Sequence, residues 1–131
     1  MIKKINHIGI AVNSIEDAVK LYTDVLGLEV KGIEIIAEQK AKTAIIAVGE
    51  TKIELIESTD PEGVIAKYVE RKGEGIHHLA IEVTNIQDIL DTLKAKGVPL
   101  VDAEPRIGVG GSKAAFIHPK ATKALIELVE H

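Results

Sequence analysis

Two segments of the chain alternate between large aliphatic residues and small or polar residues, NHIGIAV at residues 6–12 and HHLAIEV at residues 77–83. An alternation with a period of two predicts β-strands, because successive side chains of a strand point to opposite faces. After each strand the apolar residues change to helical spacing, and each helical pattern ends at a glycine, Gly27 or Gly97. The pattern therefore predicts a strand followed by a helix, twice.

The two strand–helix segments form an internal repeat. His78 follows His7 by 71 residues, and Asn85 follows Ser14 by the same number. Ser14 and Asn85 are predicted N-caps, because their side chains can accept a hydrogen bond from the first helical turn. Matching landmarks in the same order favour a duplication over a chance similarity of two amphipathic segments.

Three further strands are predicted after each helix. In the first half they are LEVKGIEII, KTAIIAVG and TKIELIES, and in the second half VPLV, SKAAFIHP and KALIELVE. The intervening DPEGVIAKYVERKGEG predicts a linker helix at about residues 62–71. We therefore predict an α+β fold of two tandem βαβββ units in one domain. The predicted ranges are residues 1–131 for the domain, about 2–57 and 75–130 for the units, and about 60–73 for the linker.

Histidines and glutamates recur at equivalent strand positions in the two units. His7 and His78 share a strand face with small residues, whereas His77 points to the opposite face and is interpreted as structural. Glu54 and Glu127 lie in the last strand of each unit, 73 residues apart. A lone carboxylate on an apolar strand usually faces solvent, but the repetition favours convergence of two histidines and two glutamates on a divalent metal ion. Imidazole and carboxylate ligands suit zinc, manganese, cobalt, nickel or iron.

Composition narrows the classes of function. Hydrophobic residues make up 46% and charged residues 27% of the 131 positions, which is typical of globular proteins. No apolar run is long enough to span a membrane, and the chain has no cysteine, which fits a cytoplasmic protein. A net charge of −4 and only three aromatic residues argue against nucleic-acid binding.

These features together resemble the vicinal-oxygen-chelate superfamily of glyoxalases, bleomycin-resistance proteins and dioxygenases. The segments VGETKIELIES, GEGIHHLAIEV and EPRIGVGGSKAAFIHPKATKALIELVE resemble, within it, the methylmalonyl-CoA epimerases. The resemblance covers essentially the whole chain. It implies that the two βαβββ units form a U-shaped mixed sheet around a metal-binding cleft, the glyoxalase-like fold.

The resemblance also implies the ligands, substrate and assembly. It places a divalent ion (cobalt, manganese, zinc, nickel or magnesium) on His7, Glu54, His78 and Glu127, and makes Glu127 a catalytic acid–base group. The implied substrate is methylmalonyl-CoA, inverted at C2 through a metal-stabilised enolate, and the implied assembly is a homodimer. In the glycine-rich segment, we expect three basic residues to contact the acyl-CoA: Arg106, Lys113 and Lys120.

The sequence departs from the family at one position. Some members carry a second glutamate where this chain has Thr43, and a threonine cannot act as the acid unaided. Glu38, a metal-bound water, or another residue that the sequence does not place are the alternatives at this point. Two other functions remain as alternatives: a glyoxalase I-like lactoylglutathione lyase, and a non-enzymatic drug-binding protein of the bleomycin-resistance type. Ring-cleaving dioxygenases of the superfamily are disfavoured, because they usually have longer chains and additional active-site histidine and tyrosine residues.

Overall fold

The computed structural model describes residues 1–131, and these divide into two compact units. The N-terminal unit is His7–His77, and the C-terminal unit combines Met1–Asn6 with His78–His131. The first six residues therefore belong with the second half of the chain, a division that the repeat in the sequence does not indicate. None of the helices has the length and apolar character needed to cross a lipid bilayer.

The N-terminal unit contains four neighbouring strands of a mixed sheet. Its strands follow the order β2-β3-β4-β1, in which β1 and β4 are parallel and the other neighbours are antiparallel. A short π-helical segment, Leu21–Val25, extends the first helix, and a 3-10 turn, Ala37–Gln39, joins β2 to β3. The elements are α1 (Ile15–Lys20), β2 (Val30–Ile36), β3 (Ala41–Val48), β4 (Thr51–Ser58), α2 (Val64–Lys72) and the second half of β1 (Ile2–Ala11), from His7 onward.

The C-terminal unit repeats this arrangement. Its strands follow the order β5-β8-β7-β6, with β5 and β8 parallel and the other neighbours antiparallel. A 3-10 turn, Val109–Gly111, joins β6 to β7. The elements are β5 (Gly75–Val83), α3 (Ile86–Ala95), β6 (Arg106–Ile107), β7 (Lys113–Ile117), α4 (Pro119–Thr122) and β8 (Ile126–Glu130).

Each sheet buries one face against the first helix of its repeat. In the N-terminal unit this core contains Val12, Ile15, Ala44, Ile46 and Leu55, and in the C-terminal unit it contains Val83, Ile86, Leu90, Ala115, Ile117 and Leu128. The opposite face carries Ala11 and Ala41 together with Ile56 in one unit, and Ala80 and Ala114 together with Val129 in the other. His7 shares its strand face with Ala11, and His78 shares its strand face with Ala80, so both histidines lie on these opposite faces.

The two βαβββ units predicted from the sequence are confirmed, and so are the glycine helix ends. Gly27 and Gly97 both have φ of 72°, the left-handed conformation that ends a helix. The linker helix begins two residues later than predicted, after Gly63 rather than at Glu62. The carboxylate of Asp60 accepts a hydrogen bond from the N–H of Glu62 in the turn before it.

One predicted strand is wrong. The segment VPLV, residues 98–101, contributes only an isolated bridge between Leu100 and Ile117. Pro99 has no N–H to donate to a ladder, so this segment cannot extend the pairing. The edge strand of the unit is instead the two-residue β6, in which Arg106 pairs with Ala114. This difference matters for the site, because it places Arg106 on the sheet rather than in a loop.

Candidate metal centre

His7 and Glu54 form a buried pair on neighbouring strands of the N-terminal unit. β1 and β4 run in parallel register with Gly9 opposite Glu54, so His7 lies on the same face, two residues before that position. Nδ1 of His7 is 3.3 Å from Oε2 of Glu54, and each residue is only 4% exposed. Gly9, the residue of β1 directly opposite Glu54, has no side chain, so His7 is the side chain of β1 that meets the carboxylate.

His78 and Glu127 form the equivalent pair in the C-terminal unit. Here Ala80 lies opposite Glu127 in the parallel register of β5 and β8, and His78 again precedes that position by two residues. Nε2 of His78 is 3.2 Å from Oε1 of Glu127, and the two residues are 6% and 7% exposed. The repeat seen in the sequence is therefore a repeat of strand register and of a histidine–glutamate contact, which uses Nδ1 of His7 in one unit and Nε2 of His78 in the other.

Each pair can serve as two ligands of a metal ion. A buried carboxylate is costly unless a cation or hydrogen-bond donors compensate its charge. An imidazole nitrogen beside a carboxylate oxygen is a donor set that divalent transition metals accept. His78 and Glu127 belong to a group of side chains able to hold such an ion. The chemistry of both units therefore fits a divalent metal.

The two adjacent histidines of β5 have different surroundings. The ring of His78 faces Glu127 and also meets the ring of Phe116 edge-on, at 5.3 Å between centroids. The ring of His77 meets Tyr68 edge-on at 4.8 Å, and the Tyr68 hydroxyl donates to the carbonyl of Ile76. The alternation of the strand thus separates one histidine beside a carboxylate from one histidine in an aromatic contact.

Arg106 contacts the carboxylate of Glu127. Its Nη2 is 3.5 Å from Oε2 of Glu127, and its Nε donates to Oδ2 of Asp102 at 3.3 Å. The guanidinium lies over the ring of Phe116, 4.7 Å from the centroid. Asp102 and Phe116 were not identified from the sequence as site residues. Asp102 stands in an irregular segment with no periodic pattern that could have indicated its direction.

The other basic residues of the glycine-rich segment lie elsewhere. Lys113 is exposed, and it precedes Ala114, the residue that pairs with Arg106. Adjacent residues of a strand point to opposite faces, so Lys113 and Ala114 lie on opposite faces of β7. Lys120 is exposed in α4, where its N–H donates to Nδ1 of His118. The structure therefore brings Arg106 to the histidine–glutamate face and leaves both lysines on the surface.

A second carboxylate on the site face of β5 is held by polar partners. Glu82 accepts a hydrogen bond from the buried Asn6 side chain at 2.8 Å and lies 3.1 Å from Nζ of Lys3. The hydrogen bond from Asn6 is the main reason that the pKa of Glu82 is lowered, and Lys3 lowers it further. These contacts fasten the first residues of the chain to β5.

Thr43 lies on the same face of the N-terminal sheet as Glu54. Ile45 is directly opposite Glu54 across β3 and β4, and Thr43, two residues earlier, shares that face and is only 3% exposed. On β2, the other strand next to β3, the residue directly opposite Thr43 is Glu34, which is partly buried. Glu38 is exposed in the turn that follows β2. Glu34 was not considered from the sequence, although its place in the alternating GIEII could have indicated its face.

Comparison with known proteins gives the family. The profile of the Glyoxalase/Bleomycin resistance protein/Dioxygenase superfamily matches residues 6–116. The chain is 41% identical over 128 residues to the uncharacterized protein YqjC of Bacillus subtilis, covering 97% of this chain and 91% of that protein.

Solved structures agree over almost the whole length. Methylmalonyl-CoA epimerase from Mycobacterium tuberculosis superposes with a TM-score of 0.94 at 36% identity, covering 98% of this chain and 88% of that one. A methylmalonyl-CoA epimerase in complex with methylmalonyl-CoA and NH4+ has a TM-score of 0.94 at 31% identity, covering 99% and 95%. The expected glyoxalase-like fold is confirmed. The chain belongs to the glyoxalase/bleomycin resistance/dioxygenase superfamily and, within it, to the methylmalonyl-CoA epimerase family.

Proposed function

We propose that this protein is an epimerase that interconverts the (R) and (S) forms of methylmalonyl-CoA by moving the proton on C2. One observation carries the proposal. A chain of the methylmalonyl-CoA epimerase family has a buried histidine–glutamate pair in the same strand register in both of its units. Duplicated burial of a carboxylate beside an imidazole has no benefit for stability alone, because each buried charge costs free energy.

The four side chains His7, Glu54, His78 and Glu127 are the proposed ligands of one divalent ion. Two imidazole nitrogens and two carboxylate oxygens suit cobalt, manganese, zinc, nickel or magnesium to different degrees. When bound, the ion supplies positive charge that stabilises the negative charge developing on the thioester oxygen as C2 loses its proton. The two glutamates also offset the charge of a divalent cation.

Glu127 is the proposed acid–base group on one face of the substrate. Its carboxylate is buried, and it lies between His78 and Arg106, which fix its two oxygens in different directions. A carboxylate held in this way can take the C2 proton and return it without first reorganising water. Glu127 is therefore both a ligand and the base in this proposal.

Inversion at C2 requires a second proton-transfer group on the other face of the planar intermediate. Thr43 occupies the position where some family members carry glutamate, and its hydroxyl is too weak an acid to serve unaided. Glu34 is its neighbour across β2 and β3, on the same face and partly buried, whereas Glu38 is exposed. Directly opposite residues have Cβ atoms about 4.5–5.5 Å apart, so the Glu34 carboxylate can reach the space beside Thr43. We assign the second role to Glu34.

Further parts of the proposal concern the acyl-CoA and the assembly. Lys113 and Lys120 are exposed and can meet the phosphates of coenzyme A, whereas Arg106, expected from the sequence to contact the acyl-CoA as well, lies against the carboxylate of Glu127. The protein is proposed to act as a homodimer in the cytoplasm, with residues 1–131 as a single functional domain. Ethylmalonyl-CoA differs from the proposed substrate by one methylene group. A binding pocket distinguishes two such substrates by only about 1–3 kcal/mol.

Proton exchange at C2 tests the function. Metal-loaded protein is mixed with methylmalonyl-CoA in D₂O, and loss of the C2 proton signal is followed by NMR. We expect exchange with at least one of the five metals, and its loss in Glu127→Gln. Absence of exchange with every metal would refute the proposal. The hemithioacetal of methylglyoxal and glutathione, tested with the same preparation, shows whether a lactoylglutathione lyase is the better description.

A further inference from the structure

The two carboxylate oxygens of Glu127 have different partners. Oε1 lies 3.2 Å from Nε2 of His78, and Oε2 lies 3.5 Å from Nη2 of Arg106. The last torsion of a glutamate side chain is broad, so a carboxylate without such contacts samples many orientations. With Oε2 held by a guanidinium, Oε1 stays on the side of His78.

Arg106 is itself fixed from three directions. Its Nε donates to Oδ2 of Asp102 at 3.3 Å, and its planar group lies 4.7 Å from the centroid of the Phe116 ring. Its backbone is paired with Ala114 in the short β6 ladder. Asp102 is held in turn, because the same Oδ2 accepts the N–H of Phe116 at 2.8 Å. The guanidinium therefore presents Nη2 to Glu127 from a defined position.

Phe116 connects the two ends of this arrangement. It lies directly opposite Glu127 in the antiparallel register of β7 and β8, and its ring also meets His78 edge-on. Both partners of the Glu127 carboxylate thus rest on one aromatic ring. The Phe116 ring therefore limits how closely Arg106 and His78 can approach each other.

We propose that Arg106 is a positioning residue for Glu127: it holds one carboxylate oxygen so that the other faces the substrate and the metal beside His78. This inference rests on the proposed function, in which Glu127 is both ligand and base. The guanidinium suits the task because its Nε and Nη2 reach two carboxylates at once, those of Asp102 and Glu127. A lysine ammonium is a single point of charge and cannot span both with fixed geometry.

Four variants test the inference: Arg106→Gln, Arg106→Lys, Asp102→Asn and the control Lys94→Gln. Lys94 forms a surface ion pair with Glu104 in the same unit and is outside the proposed machinery. We expect Arg106→Gln to lower kcat for C2 exchange about 10–100-fold, as loss of a partner that orients a metal ligand does, with little change in KM. Arg106→Lys and Asp102→Asn should fall between Arg106→Gln and the wild type, and the control should equal the wild type.

Binding of Mn²⁺, measured by calorimetry, gives a second readout that needs no turnover. We expect Arg106→Gln to bind Mn²⁺ more weakly than the wild type, because its Glu127 carboxylate is no longer held. A thermal melt of the same variant should show that it is folded. Tighter Mn²⁺ binding would overturn the inference, because it would mean that the guanidinium only repels the ion. A rise in KM with an unchanged kcat would also overturn it, in favour of substrate binding. If the wild type shows no exchange at all, the proposed function fails, and the Mn²⁺ measurement still decides on Arg106.

Discussion

Glu130 at the end of β8 accepts hydrogen bonds from the backbone N–H of Ile86, at 3.0 Å, and of Asn85, at 3.2 Å. It thereby caps α3 from a neighbouring strand. Glu57 of β4 caps α1 in the same way, accepting from the N–H of Ile15 at 2.7 Å. Both motifs, IELIE and IELVE, therefore carry two glutamates three residues apart: the first faces a histidine and the second faces a helix N-terminus.

The cap at Glu130 predicts a pH dependence of stability. Its pKa is lowered below the ordinary value of 4.5, chiefly by the hydrogen bond from Ile86. A carboxyl group with a lowered pKa in the folded state stabilises the fold above its unfolded pKa, and this contribution is lost as the pH falls through the folded pKa. We expect Glu130→Gln to lower the free energy of unfolding at pH 7 by at most about 1 kcal/mol, because solvent screens part of the charge of the carboxylate. The difference from the wild type should shrink below pH 4.5.

Urea unfolding at pH 7 and pH 3, with Glu70→Gln as the control, measures this effect. Glu70 is exposed on α2, so its replacement should change the free energy of unfolding by less than about 0.5 kcal/mol at either pH. An equal loss for Glu130→Gln at both pH values would show that the charge of the carboxylate does not stabilise α3.

The sequence predicted that the first glutamate of each motif faces a histidine, but it did not predict that the second glutamate caps a helix. A period of two is a local property of a strand, so the faces of His7, His78, Glu54 and Glu127 follow from position alone. The cap on α3 joins residues 44 apart, and Asn85, the predicted cap, has a left-handed φ of 55° and makes no side-chain cap. Such contacts depend on how a strand end meets a helix start, which no local pattern encodes.

The same reasoning explains why the surroundings of Arg106 were missed. The segment between α3 and β7 contains two prolines and has little regular structure, so neither Asp102 nor Arg106 could be assigned to a face. The basic residues there were grouped by charge, and the structure separates them. The charges in the sequence indicate that this segment is basic, but they do not indicate where each side chain lies. Arg106 lies beside Glu127 because of the pairing of β6 with β7.

The adjacent histidines provide a matched test of the metal site. Binding of Mn²⁺ to the wild type, His78→Asn and His77→Asn is measured by calorimetry. We expect His78→Asn to lose detectable binding, because it removes a ligand and leaves the Glu127 carboxylate without its neighbour. His77→Asn should bind as the wild type does, since that ring contacts Tyr68. Equal binding by both variants would exclude His78 as a ligand.

Replacement of Glu34 tests the second proton-transfer group. Glu34→Gln should lower the rate of epimerisation by about 10²–10⁴-fold, the usual contribution of a general acid or base. The epimer whose C2 proton faces Glu127 should still exchange that proton with D₂O and keep its configuration. Polarimetry measures the first property and NMR the second. Glu38→Gln should behave as the wild type, because Glu38 is exposed in the turn after β2.

A compensating change makes this prediction sharper. Thr43→Glu in the Glu34→Gln background places a carboxylate directly across the strand pair, on the same face. We expect it to restore part of the epimerisation rate. If Glu34→Gln epimerises as fast as the wild type, the second group is not Glu34, and the assignment of Glu127 is unaffected.

The glycines that follow the two repeated helices, Gly27 and Gly97, should contribute equally to stability. Gly97 has φ of 72°, and a Cβ added there would meet no atom within 4 Å, so alanine would be penalised only by its backbone conformation. That conformation costs a residue with a Cβ about 1–2 kcal/mol. Gly27 has the same φ and equally open surroundings, and its replacement should cost the same. Gly32 is the control, because its surroundings are also open but its φ is ordinary, so Gly32→Ala should leave the urea midpoint unchanged or raise it. Equal midpoints for Gly97→Ala and Gly32→Ala would show that the left-handed helix end is not what constrains this position.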